Sequence, residues 1–288
     1  MELNWIRKSH SGKAVPKELE KNGVRYLSFP LLADTGLVSH GFSTRVGGVS
    51  QGQYAAMNFT FTRGDKQEYV MENYRRMAGV LEVDVDQMVL SFQTHTTNVR
   101  KVTREDGGKG IVKTRDYRDV DGLITDVPGI TLVTFYADCV PLYFLDPVHR
   151  AIGLSHSGWR GTAGRMGKVT LEAMAGEYGT NPGDVLCCVG PSICRDCFEV
   201  GEEVILEFKS QFDQKYWKEL FYQKENGKYQ LDLWKANQII LKEAGVEEER
   251  IQTTDICTRC NPDYLFSHRV MGNARGNLAA FLSLKTSA

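Results

Sequence analysis

An α+β fold is what this sequence predicts, and three observations carry it. Short apolar runs rich in β-branched and aromatic residues, at 130–136, 142–145 and 151–154, read as strands. Longer stretches at 66–81, 162–178, 201–212 and 232–244 read as helices. The two kinds do not alternate one for one, which disfavours a doubly wound parallel sheet.

In chain order, residues 24–29 and 37–42 read as strands and 43–50 as a glycine-rich loop. The helix at 66–81 brings Tyr69, Val70, Tyr74, Met77 and Val80 near one face. A strand at 88–92 follows, with His95 just past it, and 99–102 continue extended. In the helix at 162–178, Val169, Met174 and Tyr178 face inward. Residues 185–189 form a short buried strand that stops at Gly190-Pro191. The helix at 232–244 has Asp232 as N-cap and Gly245 as its stop. Residues 251–257 and 278–284 read as strands, the second with a helical alternative. No repeat, linker or low-complexity run interrupts the chain, so one domain over 1–288 is expected.

The 288 residues are 42% hydrophobic and 25% charged, enough to bury a sizeable core. With 35 basic and 36 acidic residues the net charge is −1, so no field for nucleic acid or membrane is implied. Arg75-Arg76 reads as solvated helix surface. The start, Met1-Glu-Leu-Asn-Trp5, lacks a signal-peptide pattern, and no apolar stretch approaches the ~20 residues of a membrane span. A cytoplasmic location is expected. Seven cysteines, an odd count without an export signal, point to reduced thiols.

Three of the residues can carry chemistry together. His95, Cys139 and His156 offer two imidazoles and a thiolate, a good ligand set for zinc. Three protein ligands leave a coordination position open, the pattern of a catalytic site. A two-residue turn at Pro147-Val148 would pair Asp146 with His149 and set Cys139 directly across from His156. Pro141 is the weak point, since it cannot donate to a ladder and can force a bulge. Asp138, at a strand end, needs a reason for burial and could orient a ligand or carry a proton. Each of these residues alone has a structural explanation, as a loop cap, small core residue or sheet hydrogen-bonder.

Gly158-Trp-Arg-Gly161 opens a helix, where free amides favour anions, and Arg160 adds a fork for phosphate or carboxylate. A plain strand-to-helix turn explains the segment equally well. Arg45 in the other glycine-rich loop invites the same reading. Ser267-His-Arg269 and Arg275-Gly-Asn277 are candidates to line a pocket or to be solvated loop. Cys194-Arg-Asp-Cys197 and Cys257-Thr-Arg-Cys260 could form a four-cysteine zinc site. The gap between them is about three times the usual ~15–20 residues, and buried free cysteines or a redox-sensitive pair explain them as well. Zincin, deaminase, Walker and nucleophile-elbow signatures are missing.

Several segments together resemble the YfiH/YlmD family, variously called laccase-like polyphenol oxidase, peptidoglycan editing factor and purine nucleoside phosphorylase. They are His40-Gly-Phe-Ser-Thr-Arg-Val-Gly-Gly-Val-Ser50, Gln93-Thr-His95, Asp121-Gly122 with Thr125-Asp126, Ala137-Asp-Cys-Val-Pro-Leu142, His156-Ser-Gly-Trp-Arg-Gly161 and Gly190-Pro-Ser-Ile193. The resemblance runs from about residue 25 to 284. It implies a single-domain α+β fold layered α/β/β/α with mixed sheets, and zinc held by His95, Cys139 and His156. It implies phosphorolysis of adenosine, inosine, guanosine or methylthioadenosine to base and sugar-1-phosphate, with adenosine deamination as a second capacity. Partners would be purine nucleosides and phosphate. Catalytic roles fall on Cys139, Asp138 and Arg160, and phosphate contacts on Arg45, Gly158, Arg160 and Gly161. Cys194 and Cys260 are not typical of the family, and His268 stands where tyrosine is usual.

Two other readings remain. A copper-dependent phenol oxidase follows from the older family name, but only six histidines exist (10, 40, 95, 149, 156 and 268), fewer than a laccase's copper set requires. A cysteine hydrolase acting on a peptidoglycan precursor would use Cys139 as nucleophile and His156 as base.

Overall fold

The apolar runs become the strands of two six-stranded sheets and a small third one. The structure, a computed structural model, describes residues 3–8 and 15–286. Met1, Glu2 and His10 lie outside them. The first sheet runs in the order β1 (Lys17–Lys21), β2 (Val24–Ser28), β3 (Val38–Ser43), β15 (Leu278–Leu284), β7 (Thr131–Tyr136) and β4 (Met88–Leu90). The second runs β14 (Ile251–Thr253), β10 (Leu186–Val189), β8 (Val140–Asp146), β9 (Ala151–Ser157), β6 (Gly122–Thr125) and β5 (Val99–Lys101). A three-stranded sheet joins β11 (Glu199–Val200), β13 (Tyr229–Leu231) and β12 (Phe221–Gln223). Both large sheets are mixed, because β4 lies parallel to β7, β5 to β6 and β10 to β14.

Helices cover both outer faces, α2 (Gln67–Leu81) on one side and α3 (Trp159–Ala163), α4 (Met166–Tyr178), α5 (Glu202–Gln211), α6 (Trp217–Leu220) and α7 (Leu233–Glu243) on the other, while α1 (Pro30–Ala33) and α8 (His268–Met271) pack Leu32 and Met271 against the core between the sheets. Strand alternation shows the layering. Along β15, Leu278, Ala280, Leu282 and Leu284 enter the core between the sheets, while Ala279 and Phe281 meet α2 through Tyr74 and Met77. Along β8, Tyr143 and Leu145 face the inter-sheet core, while Val140, Leu142 and Phe144 pack under α4 and α7. The expected α/β/β/α layering is therefore found. Period-two alternation in strands buried on both faces accounts for their near-continuous apolar sequence. It also resolves 278–284 as strand, since both faces are buried against different layers.

Several expectations need correction. The β8–β9 connection is not a two-residue turn: Asp146 pairs with Ala151, so Pro147 to Arg150 form the loop. Asp146 builds it, with Oδ1 accepting the amides of Val148 (2.9 Å) and His149 (3.0 Å) and Oδ2 meeting His149 Nδ1 at 2.9 Å. Cys139 consequently precedes β8 and stands opposite Gly158, not His156. Pro141 causes no bulge; it pairs with His156 in an unbroken register, and its carbonyl accepts from the Gly190 amide (2.8 Å). The helix expected at 162–178 is two helices, broken where Arg165 takes a left-handed conformation with φ 60°. The strand expected at 251–257 ends at Thr253, after which Asp255 turns aside to pair with Arg7 at 2.6 Å.

Candidate metal centre

The ends of three strands deliver the three candidate ligands. β4 leads to the loop carrying His95, β9 carries His156, and Cys139 stands at the entry to β8. His95 (φ 68°) and Asp138 (φ 88°) are both left-handed, so the chain turns sharply at each. The ligand atoms of His95, Cys139 and His156 all lie within 4.8 Å of one another. Cys139 Sγ is 3.9 Å from His95 Nε2, and the two imidazole rings sit 5.0 Å apart at 79°. Zinc bonds of ~2.3 Å to sulfur and ~2.0 Å to nitrogen in a tetrahedron would set S and N roughly 3.5 Å apart, so the donor set fits with little closure. A register error of two residues keeps a side chain on the same face. That is why Cys139 and His156 still converge although they are not directly opposed.

His156 is 3% exposed, Cys139 partly buried and His95 exposed. One side of the cluster therefore meets solvent. Burial works against the Cys139 thiolate, but His156 and His95 beside it lower the thiol to about 6. Burial likewise works against a charged His156, yet the facing thiolate and the Asp121 carboxylate raise it to about 9. The two shifts reinforce each other, drawing Cys139 toward the thiolate and His156 toward the imidazolium. A cation of either kind, proton or metal, is what these ligands ask for.

Asp121, part of a family motif in the sequence but given no role there, is a functional residue of the site. The β6–β9 register, continued one residue past Gly122↔Ser155, places it opposite His156. Its Oδ1 meets His156 Nδ1 at 2.8 Å, and its backbone carbonyl accepts the His156 amide at 2.8 Å. The same carboxylate accepts the amides of Thr94 (2.9 Å), His95 (3.0 Å) and Thr96 (3.2 Å). One side chain thus aims Nε2 of one ligand and fixes the loop of the other. Burial opposes the charge on Asp121, but the His156 bond and these amides hold its carboxyl below the usual carboxylate range. An acidic residue just before a buried strand was the available signal.

The remaining candidates fall into different places. Asp138 is nearly buried, but its Oδ1 accepts from Thr258 Oγ1 (2.6 Å) and its Oδ2 from the Arg269 amide (2.7 Å). The carboxylate contact to a metal ligand is made by Asp121. Arg160 is exposed and stacks on Trp159 at 4.2 Å. Arg45 is committed elsewhere: Nε donates to the Ala55 carbonyl (2.8 Å), Nη1 to that of Pro262, and the guanidinium stacks on Phe266. Gly158 has a steric reason to be glycine, since a Cβ there would stand 3.0 Å from Cys139 Sγ and 3.1 Å from His95 Cδ2. At Gly161 a Cβ would meet nothing closer than 3.5 Å. Arg275, one of the pocket candidates, is 7% exposed, and its Nε is buried without a hydrogen-bond partner among the described residues. Burial lowers it to about 10 even though Asp138 and Cys139 pull the other way. A cleft of about 760 Å³ lies along residues 110–118 with Phe61, Gln67 and Phe92; none of the three candidate ligands lines it.

A sequence profile of the family described as multi-copper polyphenol oxidoreductase laccase matches residues 39–285. The chain belongs to this family. Purine nucleoside phosphorylase YlmD of Bacillus subtilis is 33% identical over 254 residues, covering 85% of this chain and 88% of that one. A protein named adenosine deaminase RL5, from an unknown prokaryotic organism, is 34% identical over 234 residues, covering 80% and 88%. The crystal structure of YlmD from Geobacillus stearothermophilus superposes with a TM-score of 0.87 at 31% identity, covering 95% of this chain and all of that one. The described histidines other than His95 and His156 are engaged elsewhere. His40 is buried against the Phe29 amide, His149 is bound to Asp146, and His268 bonds the Gly272 carbonyl. Only His95 and His156 converge among the described histidines. Among the described residues no helix is long and apolar enough to cross a membrane.

Proposed function

We propose that this chain is a purine nucleoside phosphorylase built around one zinc ion held by His95, Cys139 and His156, with adenosine deamination as a second activity. The observation that carries the proposal is the convergence of these three ligands, open on the exposed His95 side, in a family whose relatives are named for both activities. When bound, zinc supplies Lewis-acid polarisation at its open position. Asp121 keeps His156 in the tautomer that points Nε2 at the site. Cys139 serves as a thiolate ligand, consistent with its lowered pKa.

In phosphorolysis a phosphate oxygen bonds to the sugar C1′, the C1′–N bond to the purine breaks, and the base leaves with that electron pair and takes up a proton. Arg160, exposed and steadied by Trp159, is the proposed phosphate contact. The backbone at Gly158 and Gly161 frames it, though α3 is only five residues long and adds little dipole. Arg45, bound to two carbonyls, takes the lesser role of shaping the loop, while Asp138 positions Cys139 through its Thr258 and Arg269 bonds. Adenosine, inosine, guanosine and methylthioadenosine are the proposed substrates. None of the seven cysteines is in a disulfide, which suits a reducing compartment, so the reading places the enzyme in the cytoplasm.

Chromatography of adenosine incubated with purified protein, with and without phosphate, tests this. Phosphate-dependent release of adenine and sugar-1-phosphate supports phosphorolysis, and inosine supports deamination. An unchanged substrate contradicts both. One specific observation favours a second reading. Cys139, His156 and Asp121 also have the order of a nucleophile, its base and an orienting carboxylate, as in a cysteine hydrolase acting on a cell-wall precursor. Cys139→Ser separates the two: loss of bound metal favours the metalloenzyme, whereas unchanged metal with lost thiol trapping favours the hydrolase. A copper phenol oxidase would instead show stoichiometric copper and dye turnover.

A further inference from the structure

Far apart in sequence, Cys194, Cys197, Cys257 and Cys260 come together with all four sulfurs within 4.8 Å of one another. We propose that these four cysteines are a second metal centre, an all-thiolate site for one structural zinc ion, separate from the His95–Cys139–His156 cluster.

Several independent features favour a metal over loosely packed thiols. Both segments are C-x-x-C turns, and the first is closed by the Cys197 amide donating to the Cys194 carbonyl at 3.0 Å. The Cys194 amide also donates to Cys257 Sγ at 3.3 Å, tying the turns together. Sulfurs that accept amide hydrogens are in the arrangement that stabilises thiolates. Cys197 Sγ and Cys260 Sγ are 3.5 Å apart. That is close to the roughly 3.8 Å edge of a tetrahedron with ~2.3 Å zinc–sulfur bonds and far from the ~2.05 Å of a disulfide. Four thiolates around a dication carry net charge −2, and two cations stand by. Arg259 Nη1 donates to Cys197 Sγ at 3.4 Å, and Lys8 lies within electrostatic reach of Cys194, Cys197 and Cys260. Ile193, Phe198 and Trp234 pack around the cluster as a small core of its own. Binding would transfer the proton of each neutral thiol to solvent, with no change of oxidation state.

The place of the site suggests what it holds. Ile193, next to Cys194, donates its amide to the Asp138 carbonyl (3.0 Å). Thr258, next to Cys257, donates its hydroxyl to the Asp138 carboxylate (2.6 Å). The Thr258 amide closes the link by donating to the Ser192 carbonyl (3.1 Å). A zinc ion clamping the two turns would thus brace the Asp138-Cys139 corner from behind. The inference rests on the cysteine geometry and stands whether or not the proposed reaction is correct.

Metal analysis of the full chain, purified anaerobically, tests it. About two zinc ions per chain are expected in the wild type, about one in His95→Ala, and about one in the Cys194→Ser/Cys260→Ser double variant. If the double variant fails to fold, cobalt loading of the wild type and of His95→Ala still decides. His95→Ala is expected to keep the intense sulfur-to-cobalt charge-transfer and tetrahedral bands of a four-thiolate site. A wild type with one metal that disappears in His95→Ala would overturn the proposal. So would cysteines 194, 197, 257 and 260 recovered as disulfides, or stoichiometric iron in place of zinc.

Discussion

At the scale of single residues, the site depends on Asp121 and Gly158 as much as on its ligands. Asp121→Asn keeps the shape but weakens the bonds that aim His156 and hold the His95 loop. Zinc affinity should fall about 10–100-fold, measured by competition with a chromophoric chelator. Gly158→Ala should lower it by about tenfold, because its Cβ pushes on Cys139 and His95, whereas Gly161→Ala should leave it unchanged. The ligands His95, Cys139 and His156 were legible from residue chemistry, since few side chains bind zinc well. Asp121 was not, because its role lies in a cross-strand pairing between segments more than 30 residues apart. Arg45 looked like an anion ligand because a glycine-rich loop does not reveal which carbonyls will occupy its guanidinium.

Among the elements, the β8–β9 hairpin shows what local pattern can and cannot specify. Both strands were legible from their apolar, β-branched runs, yet the loop length was not. Asp146 recruits two amides and His149, which stretches the turn to four residues. Asp146 is fully buried, so Asp146→Ala should cost about 1–3 kcal/mol in urea unfolding by leaving those amides unpaired. An unchanged midpoint would mean the loop holds without it. The helix at 232–244 read correctly because its signals are local: the Asp232 side chain accepts the Lys235 amide at 2.9 Å, and Gly245 ends it with φ 100°. The break between α3 and α4 was invisible because Arg165 bonds the Gln211 carbonyl and Glu243, contacts made only in the folded chain.

For the whole molecule, the sandwich of two mixed sheets holds the site by bringing strand ends from both sheets to one corner. The inter-sheet core also buries His40, whose Nε2 accepts the Phe29 amide at 2.9 Å. Burial lowers this ring to about 4 from its ordinary 6.5. The unfolded chain binds a proton below pH ~6.5 that the folded chain refuses until about pH 4. Stability should therefore be intact above pH ~6.5 and fall by at most about 3 kcal/mol on acidification toward pH 4. Chemical denaturation across that range checks this, and His40→Gln should flatten the slope. Strand and helix content was readable in sequence, but the order of strands in each sheet depends on long-range pairing, such as β15 between β3 and β7, that local pattern does not encode. Anomalous diffraction at the zinc edge from crystals of the full chain tests the metal centre itself. A peak bounded by His95 Nε2, Cys139 Sγ and His156 Nε2 with a non-protein fourth neighbour is expected. No peak there, or one closed by a fourth protein ligand, would contradict it.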